Sequence, residues 1–257
     1  MNLRFSVFAR PQLLRSLGLL AGLGLAAGCR HESVAPVPVV DYFPVAIGTY
    51  RTYAVTDSVW VNARPSVTSY QLRERVAERF TDAAGQTAYR LVRSKRASAG
   101  AAWADDSVLV VVPLPRAVLL TRNNLRTVEL IYPAQAGKGW NANAFTASPD
   151  TITSISRVYG PGVAGPYTTP AAGGQPAKTY ANTVLTKATP GTGTEFINLF
   201  YQQGQRQVYA SGVGLVLRRR FSFNTFTVNP NTLESVATPN IQAGAARLEV
   251  LIDTGTI

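Results

Sequence analysis

From Thr68 to Phe80 the chain alternates. Thr68, Tyr70, Leu72, Glu74, Val76, Glu78 and Phe80 fall on one side, and Ser69, Gln71, Arg73, Arg75, Ala77 and Arg79 on the other. A repeat of two sends successive side chains to opposite faces of an extended strand. Leu72, Val76 and Phe80 also fit a helical spacing of four, and Arg and Glu are good helix formers, so the flanking residues arbitrate. Thr81 to Gln86 reads as a turn around Gly85, and Tyr89 to Lys95 alternates again. Two alternating runs joined by a glycine turn predict a β-hairpin.

The same reading extends along the chain. Thr49 to Val61 is aromatic and β-branched enough to be the first strand, with Pro65 ending it. Ser107 to Val112 is a strand that Pro113 and Pro115 place at an edge or a bend. Ala117 to Thr121 and Leu125 to Tyr132 flank an Asn123-Asn124 turn. Thr151 to Tyr159, Tyr180 to Thr186, Glu195 to Gln202 and Val208-Tyr209 are shorter candidates, interrupted by Pro190-Gly191 and Gly204. In Val213 to Phe226, the residues Val213, Leu215, Leu217, Arg219, Phe221 and Phe223 share an apolar face, which sends Arg218 and Arg220 outward. Ala246 to Ile252 is the last strand. The expectation is an all-β chain: a single strongly curved antiparallel sheet or open β-barrel of about ten strands, after an N-terminal signal helix.

That N-terminal segment carries Arg4, Arg10 and Arg15 and no acid before Cys29, and after Ser16 it is Leu, Ala and Gly only up to Ala27. It is too short to span a bilayer core of about 30 Å and has the length of a secretory apolar region. Ala26, Ala27 and Gly28 lead into Cys29, the one cysteine of the chain. This stretch resembles a bacterial lipobox, with Leu25 four residues before the cysteine where three is usual. The resemblance implies cleavage before Cys29 and acylation of its thiol and new amino group. The expected organisation is a signal peptide over residues 1–28, a lipidated cysteine with a Pro- and Val-rich tether over 29–40, and one antiparallel β domain over 41–257. The expected location is the cell envelope, lipid-anchored at the outer membrane on its periplasmic or its surface face.

Without residues 1–28 the chain keeps 22 Lys and Arg against 14 Asp and Glu, a formal charge of about +8. The basic residues are spread through strands and no nucleic-acid-binding signature is present, so an anionic membrane surface or an acidic glycan suits this charge better than nucleic acid. His31 is the single histidine and sits beside Cys29. A Ser-His-Asp arrangement, a histidine zinc site and an imidazole base are therefore not expected in the domain, nor a thiol nucleophile once Cys29 is acylated. No cofactor or metal is expected.

Paired carboxylates are the remaining route to catalysis. Glu74 and Glu78 share a strand face about 13 Å apart, beyond the spacing of roughly 5 to 9.5 Å in glycosidases. Cross-strand pairing with Arg90 or Arg93 is the simpler expectation. Arg219, on the apolar side of its strand, is a candidate partner for Glu74 or Glu78. Trp140, with Asn141 and Asn143, reads as a ring packed over a sheet edge with the amides satisfying loop backbone. Trp140, Arg219 and Glu74 are thus the candidate binding residues, and Cys29 the lipidation site. Gly160 to Gln175, dense in Gly, Pro and Ala, is expected to be a mobile surface loop or a functional flap.

Three stretches carry a wider resemblance: Tyr42-Phe43-Pro44 with Gly48 and Tyr50, Gly139-Trp140-Asn141 with Asn143, and Tyr209-Ala210-Ser211-Gly212-Val213-Gly214-Leu215-Val216. They resemble motifs of uncharacterised β-rich bacterial envelope lipoproteins, and the similarity runs from Tyr42 to Phe223. It implies a secreted lipidated protein with an antiparallel sheet, and no catalytic residues. The expected architecture is also similar to the half-barrel chaperones of lipoprotein transport. The leading expectation is a non-catalytic, membrane-anchored lipoprotein that binds a hydrophobic ligand or assists envelope assembly with an envelope protein, the 160–175 loop serving as its lid. A purely structural surface protein and a carboxylate-based glycan-active enzyme are the alternatives. A deep apolar cavity, a filled core, or two close carboxyl groups in a cleft would separate the three.

Overall fold

The computed structural model describes residues 41–145, 156–188 and 196–257. The signal helix, Cys29, His31 and the tether lie outside the described residues. The described chain contains no helix: it is an antiparallel sheet of 14 strands, nearly closed into a barrel, with a small two-stranded sheet beside it.

The first six strands form a meander of hairpins: β1 (Thr49–Val61), β2 (Arg64–Thr81), β3 (Thr87–Arg96), β4 (Ala104–Leu114), β5 (Ala117–Arg122) and β6 (Leu125–Ile131). The turns use the chemistry their residues offer. The Asp82 carboxylate accepts hydrogen bonds from the backbone of Ala84 and Gln86, each at 2.9 Å. Asn123 and Asn124 both take positive φ, as a tight two-residue hairpin requires. Asn62 and Ala63 do the same between β1 and β2. That tight turn lets β2 begin four residues before the expected Thr68, and Pro65 pairs with Trp60 inside β2.

The second half adds β7 (Gly139–Trp140), β8 (Arg157–Tyr159), β9 (Gly165–Thr169), β10 (Lys178–Ala188), β11 (Phe196–Ile197), β12 (Tyr201–Ala210), β13 (Gly214–Asn224) and β16 (Ala243–Thr256). The side hairpin is β14 (Phe226–Val228) with β15 (Ser235–Ala237). The order across the main sheet is β6-β5-β4-β3-β2-β1-β16-β13-β12-β10-β8-β7, with β9 on β10 and β11 on β12. The C-terminal strand thus lies between β1 and β13 and joins the two halves. Ten strands have six or more residues, which matches the expected number.

Two strand expectations are corrected. β4 is not an edge: it lies between β3 and β5, and Pro113 pairs with Val118. Proline is tolerated there because the pairing with β3 has already ended at Val111. Gly204 does not interrupt β12. It pairs with Phe221, whose ring would lie 2.6 Å from any Cβ at that position, so the missing side chain makes room for the aromatic ring.

The two ends of the sheet path meet at a seam. The Val128 N–H donates to the Ala142 carbonyl at 2.8 Å, and the Trp140 indole N–H donates to the Val128 carbonyl at 2.9 Å. The Tyr159 hydroxyl donates to the Ile131 carbonyl at 2.6 Å and packs 4.8 Å from the Trp140 ring. Trp140 therefore ties β7 to β6.

One end of the barrel is closed by residues 41–48. The Tyr42 hydroxyl donates to Asn182 at 2.6 Å, the Asp41 carbonyl accepts from Gly212 at 2.8 Å, and the Gly48 N–H donates to Val76 at 2.9 Å. Phe43 lies 6.1 Å from Tyr209, and Arg51 donates to the carbonyls of Pro44 and of Val213, the latter at 2.6 Å. These contacts explain two of the three motif stretches: the first forms the plug and the third is the turn that holds it. Gly214 is required there, because at its φ of 101° a Cβ would sit 2.7 Å from the Arg51 Nε. The backbone N–H of Ile257 also bonds Gly48 at 2.9 Å, so the C-terminus lies at this end too.

Candidate functional site

Register places a belt of charge inside the barrel. Val55, Glu249, Arg218 and Gln207 form one row across β1, β16, β13 and β12. Glu74 and Arg93 are cross-strand neighbours on β2 and β3. Arg218 donates to Glu249 at 2.9 Å, Arg93 donates to Glu74, and Arg157 donates to Glu129 at 3.2 Å. The Glu129 carboxylate also accepts from Gln207 and Tyr209, both at 3.1 Å, and from Thr127 at 2.9 Å. All three glutamates and their three arginines are buried. Burial pushes the Glu74 carboxyl up, but Arg93 and Arg218 outweigh it and hold it at about 2. Burial is likewise outweighed at Glu129, by Arg157 and Arg218, and it too is held at about 2. Such groups stay ionised at neutral pH, acting as fixed counterions rather than proton donors.

The opposite end of the barrel is open. A trough of about 450 Å³ crosses β1, β16, β13 and β12 there. Two rows of side chains face it: Asp57, Arg247, Arg220 and Gln205, and beyond them Val59, Ala245, Ser222 and Gln203. They share a face with the buried Glu249–Arg218 row, so the trough continues the barrel interior. Arg247 grips Asp57 with two hydrogen bonds of 2.6 and 2.7 Å, and Tyr70 donates to the same carboxylate at 3.0 Å. Burial pushes Asp57 up, but these bonds outweigh it and hold the carboxyl below its ordinary range. Arg220 lies 4.0 Å from Glu249, a carboxylate Arg218 already engages, and its side chain is 41% exposed.

The structure does not bring the sequence candidates together. Glu74 is inside the barrel, paired with Arg93, and Glu78 pairs with Arg90 at 2.9 Å, the simpler of the two expectations. Trp140 is at the seam, and the Asn141 side chain accepts from the Asn143 N–H at 2.9 Å, as the loop reading requires. Arg219 is exposed on the outer face, its guanidinium 5.2 Å from the Phe221 ring. The strand parity is thus the reverse of the expectation: Arg218 and Arg220 face inward and Arg219 outward. Both faces of β13 carry apolar and basic residues, so alternation alone did not distinguish them.

The 160–175 segment is not positioned as a lid. It contains β9 and an Ala172–Gln175 bridge, and it packs outside the barrel, where a Cβ on Gly173 would meet Ala54 at 2.9 Å and Ile252 at 3.2 Å. It is a strap that shields outward-facing apolar residues of β1 and β16. Ion pairs occupy the centre of the interior: Glu74 with Arg93, Glu129 with Arg157 and Glu249 with Arg218.

Asp57, Arg220, Arg247, Glu129 and Glu249 were not singled out from the sequence. The signal was present in period-two phase: Asp57 follows Tyr53 and Val55, and Glu249 lies between Arg247 and Leu251. Among the described residues no group of three or more His, Cys, Asp or Glu is arranged to hold a metal. No protein-family model matches the chain, and no curated protein matches it significantly.

Proposed function

We propose that this chain is a non-catalytic envelope lipoprotein, anchored through Cys29, whose open barrel end binds an amphipathic ligand or an envelope-protein segment bearing an acidic group. The observation that carries the reading is the polarity of the barrel. The chain enters at the plugged end through Asp41, while the trough lies about 30 Å further along β1 at ~3.3 Å per residue. The plug and the trough thus lie at opposite ends of the domain.

The trough's chemistry supports the ligand class. Val59 and Ala245 supply apolar surface, Gln203 and Gln205 supply amides, and Arg220 supplies a half-exposed guanidinium 4.0 Å from Glu249, whose other carboxylate oxygen Arg218 engages. Arginine presents a planar fork suited to a carboxylate or phosphate. The glycan-hydrolase alternative has less support, since Asp57, Glu74 and Glu129 are all held on the ionised side and a hydrolase needs one carboxyl kept protonated.

Native mass spectrometry of the domain from Val34 onward, purified without detergent, tests the binding reading. A co-purifying acidic ligand that is lost in Arg220→Gln is the expected result, and a clean unliganded mass under gentle conditions counts against it. Labelled fatty acid entering the wild-type chain but not Cys29→Ser tests the anchor independently.

A further inference from the structure

Among the described residues, the interior between the plug and the trough holds five arginines, Arg51, Arg93, Arg122, Arg157 and Arg218, but only three carboxylates, Glu74, Glu129 and Glu249. The ion pairs account for Arg93, Arg157 and Arg218. Arg51 is held by the carbonyls of Pro44 and Val213. Arg122 has no carboxylate partner. Its Nε and Nη2 are both buried and neither makes a hydrogen bond within the protein. Leaving buried guanidinium donors unmet is among the more costly arrangements a core can hold.

The Arg122 side chain borders a specific space. A cavity of about 10 Å³, room for one water-sized body, is lined by Arg51, Arg122, Arg218, Tyr53 and Glu74, with leucines such as Leu109 and Leu120 completing its wall. Three guanidiniums and one carboxylate surround it, and that carboxylate is already engaged by Arg93. We propose that this cavity binds a single small inorganic anion of about the size of chloride, held chiefly by Arg122 and Arg218. The apolar wall suits a weakly hydrated halide, and the volume excludes a carboxylate or an oxyanion such as sulfate. Burial, with Arg218 and Arg93 nearby, pulls the Arg122 guanidinium down to about 10, the direction expected of a cation lacking a counterion. The site is separate from the trough, and its ligand would act on the stability of the fold.

The test compares thermal unfolding of the full chain at fixed ionic strength in sodium chloride, sodium bromide and sodium gluconate, whose anion is too large to enter. Chloride and bromide are expected to raise Tm saturably, by about 2 to 4 °C at roughly five times the dissociation constant. Arg122→Gln is expected to abolish the difference between anions. Crystals grown in bromide provide a second readout that does not depend on a variant folding: an anomalous peak within hydrogen-bond reach of Arg122 Nε. Equal Tm in all three salts, an unchanged halide effect in Arg122→Gln, or only water at the position in bromide-grown crystals would each overturn the proposal.

Discussion

Arg218 donates a 2.9 Å hydrogen bond to Glu249 from the neighbouring strand, with both side chains almost wholly excluded from solvent. The pair sits where the two halves of the sheet are joined, because β13 and β16 are adjacent only through the C-terminal strand's insertion beside β1. Its ions are kept in a dry interior by mutual attraction and by the neighbouring charges of Glu74 and Glu129.

Removing one member of this pair strands the other. Arg218→Met is expected to destabilise the domain by about 3 to 5 kcal/mol, while Arg218→Met combined with Glu249→Leu recovers most of the loss. Urea unfolding midpoints followed by tryptophan fluorescence would measure both. A double variant no better than the single one would mean that the belt, not the pair, is the unit of stability.

The ion-pair belt also sets an acid limit. Glu74 and Glu129 have folded pKa values near 2 against an ordinary value of 4.5, so the unfolded chain takes up protons first as the pH falls. Their contribution is fully present above about pH 5 and is lost as the pH falls through 4.5 toward 2. Urea midpoints between pH 7 and pH 2.5 should stay level and then fall, with a shallower fall in Glu74→Gln relative to its own value at pH 7.

At the plug, Gly214→Ala is expected to cost more than about 1 kcal/mol, because the new Cβ meets both a left-handed backbone and the Arg51 guanidinium. Gly85→Ala, also at positive φ but in open space, serves as the control and should cost less. Differential scanning calorimetry of the two variants gives the comparison.

At the seam, Trp140→Phe keeps the ring packing on Tyr159 and deletes the bond to the Val128 carbonyl. The expected loss is about 1 kcal/mol. Amide exchange should accelerate at Val128 and Ser156, whose N–H groups bond the Ala142 and Trp140 carbonyls across and beside the seam. Amides in β2 and β3 should change little.

The strands were legible wherever one residue in two met a uniform environment. Thr49 to Val61 coincides with β1 at both ends, and the Gly85 and Asn123-Asn124 turns carry their own conformational preferences. Alternation along a strand follows from backbone geometry alone, so no tertiary information is needed to read it. Which face of Val213 to Phe226 lies inside was not written in that pattern. The outward Leu217 is as buried as an interior residue, while the interior is lined by Arg218 and, beyond a register break in the pairing with β12, by Leu215. Only closure of the sheet decides that, because the sign of a residue's environment depends on strands far away in sequence. The same holds for the charges. Sequence supplied the arginine excess, but register and the meeting of β6 with β7 determined that Arg93, Arg157 and Arg218 find glutamates and Arg122 does not.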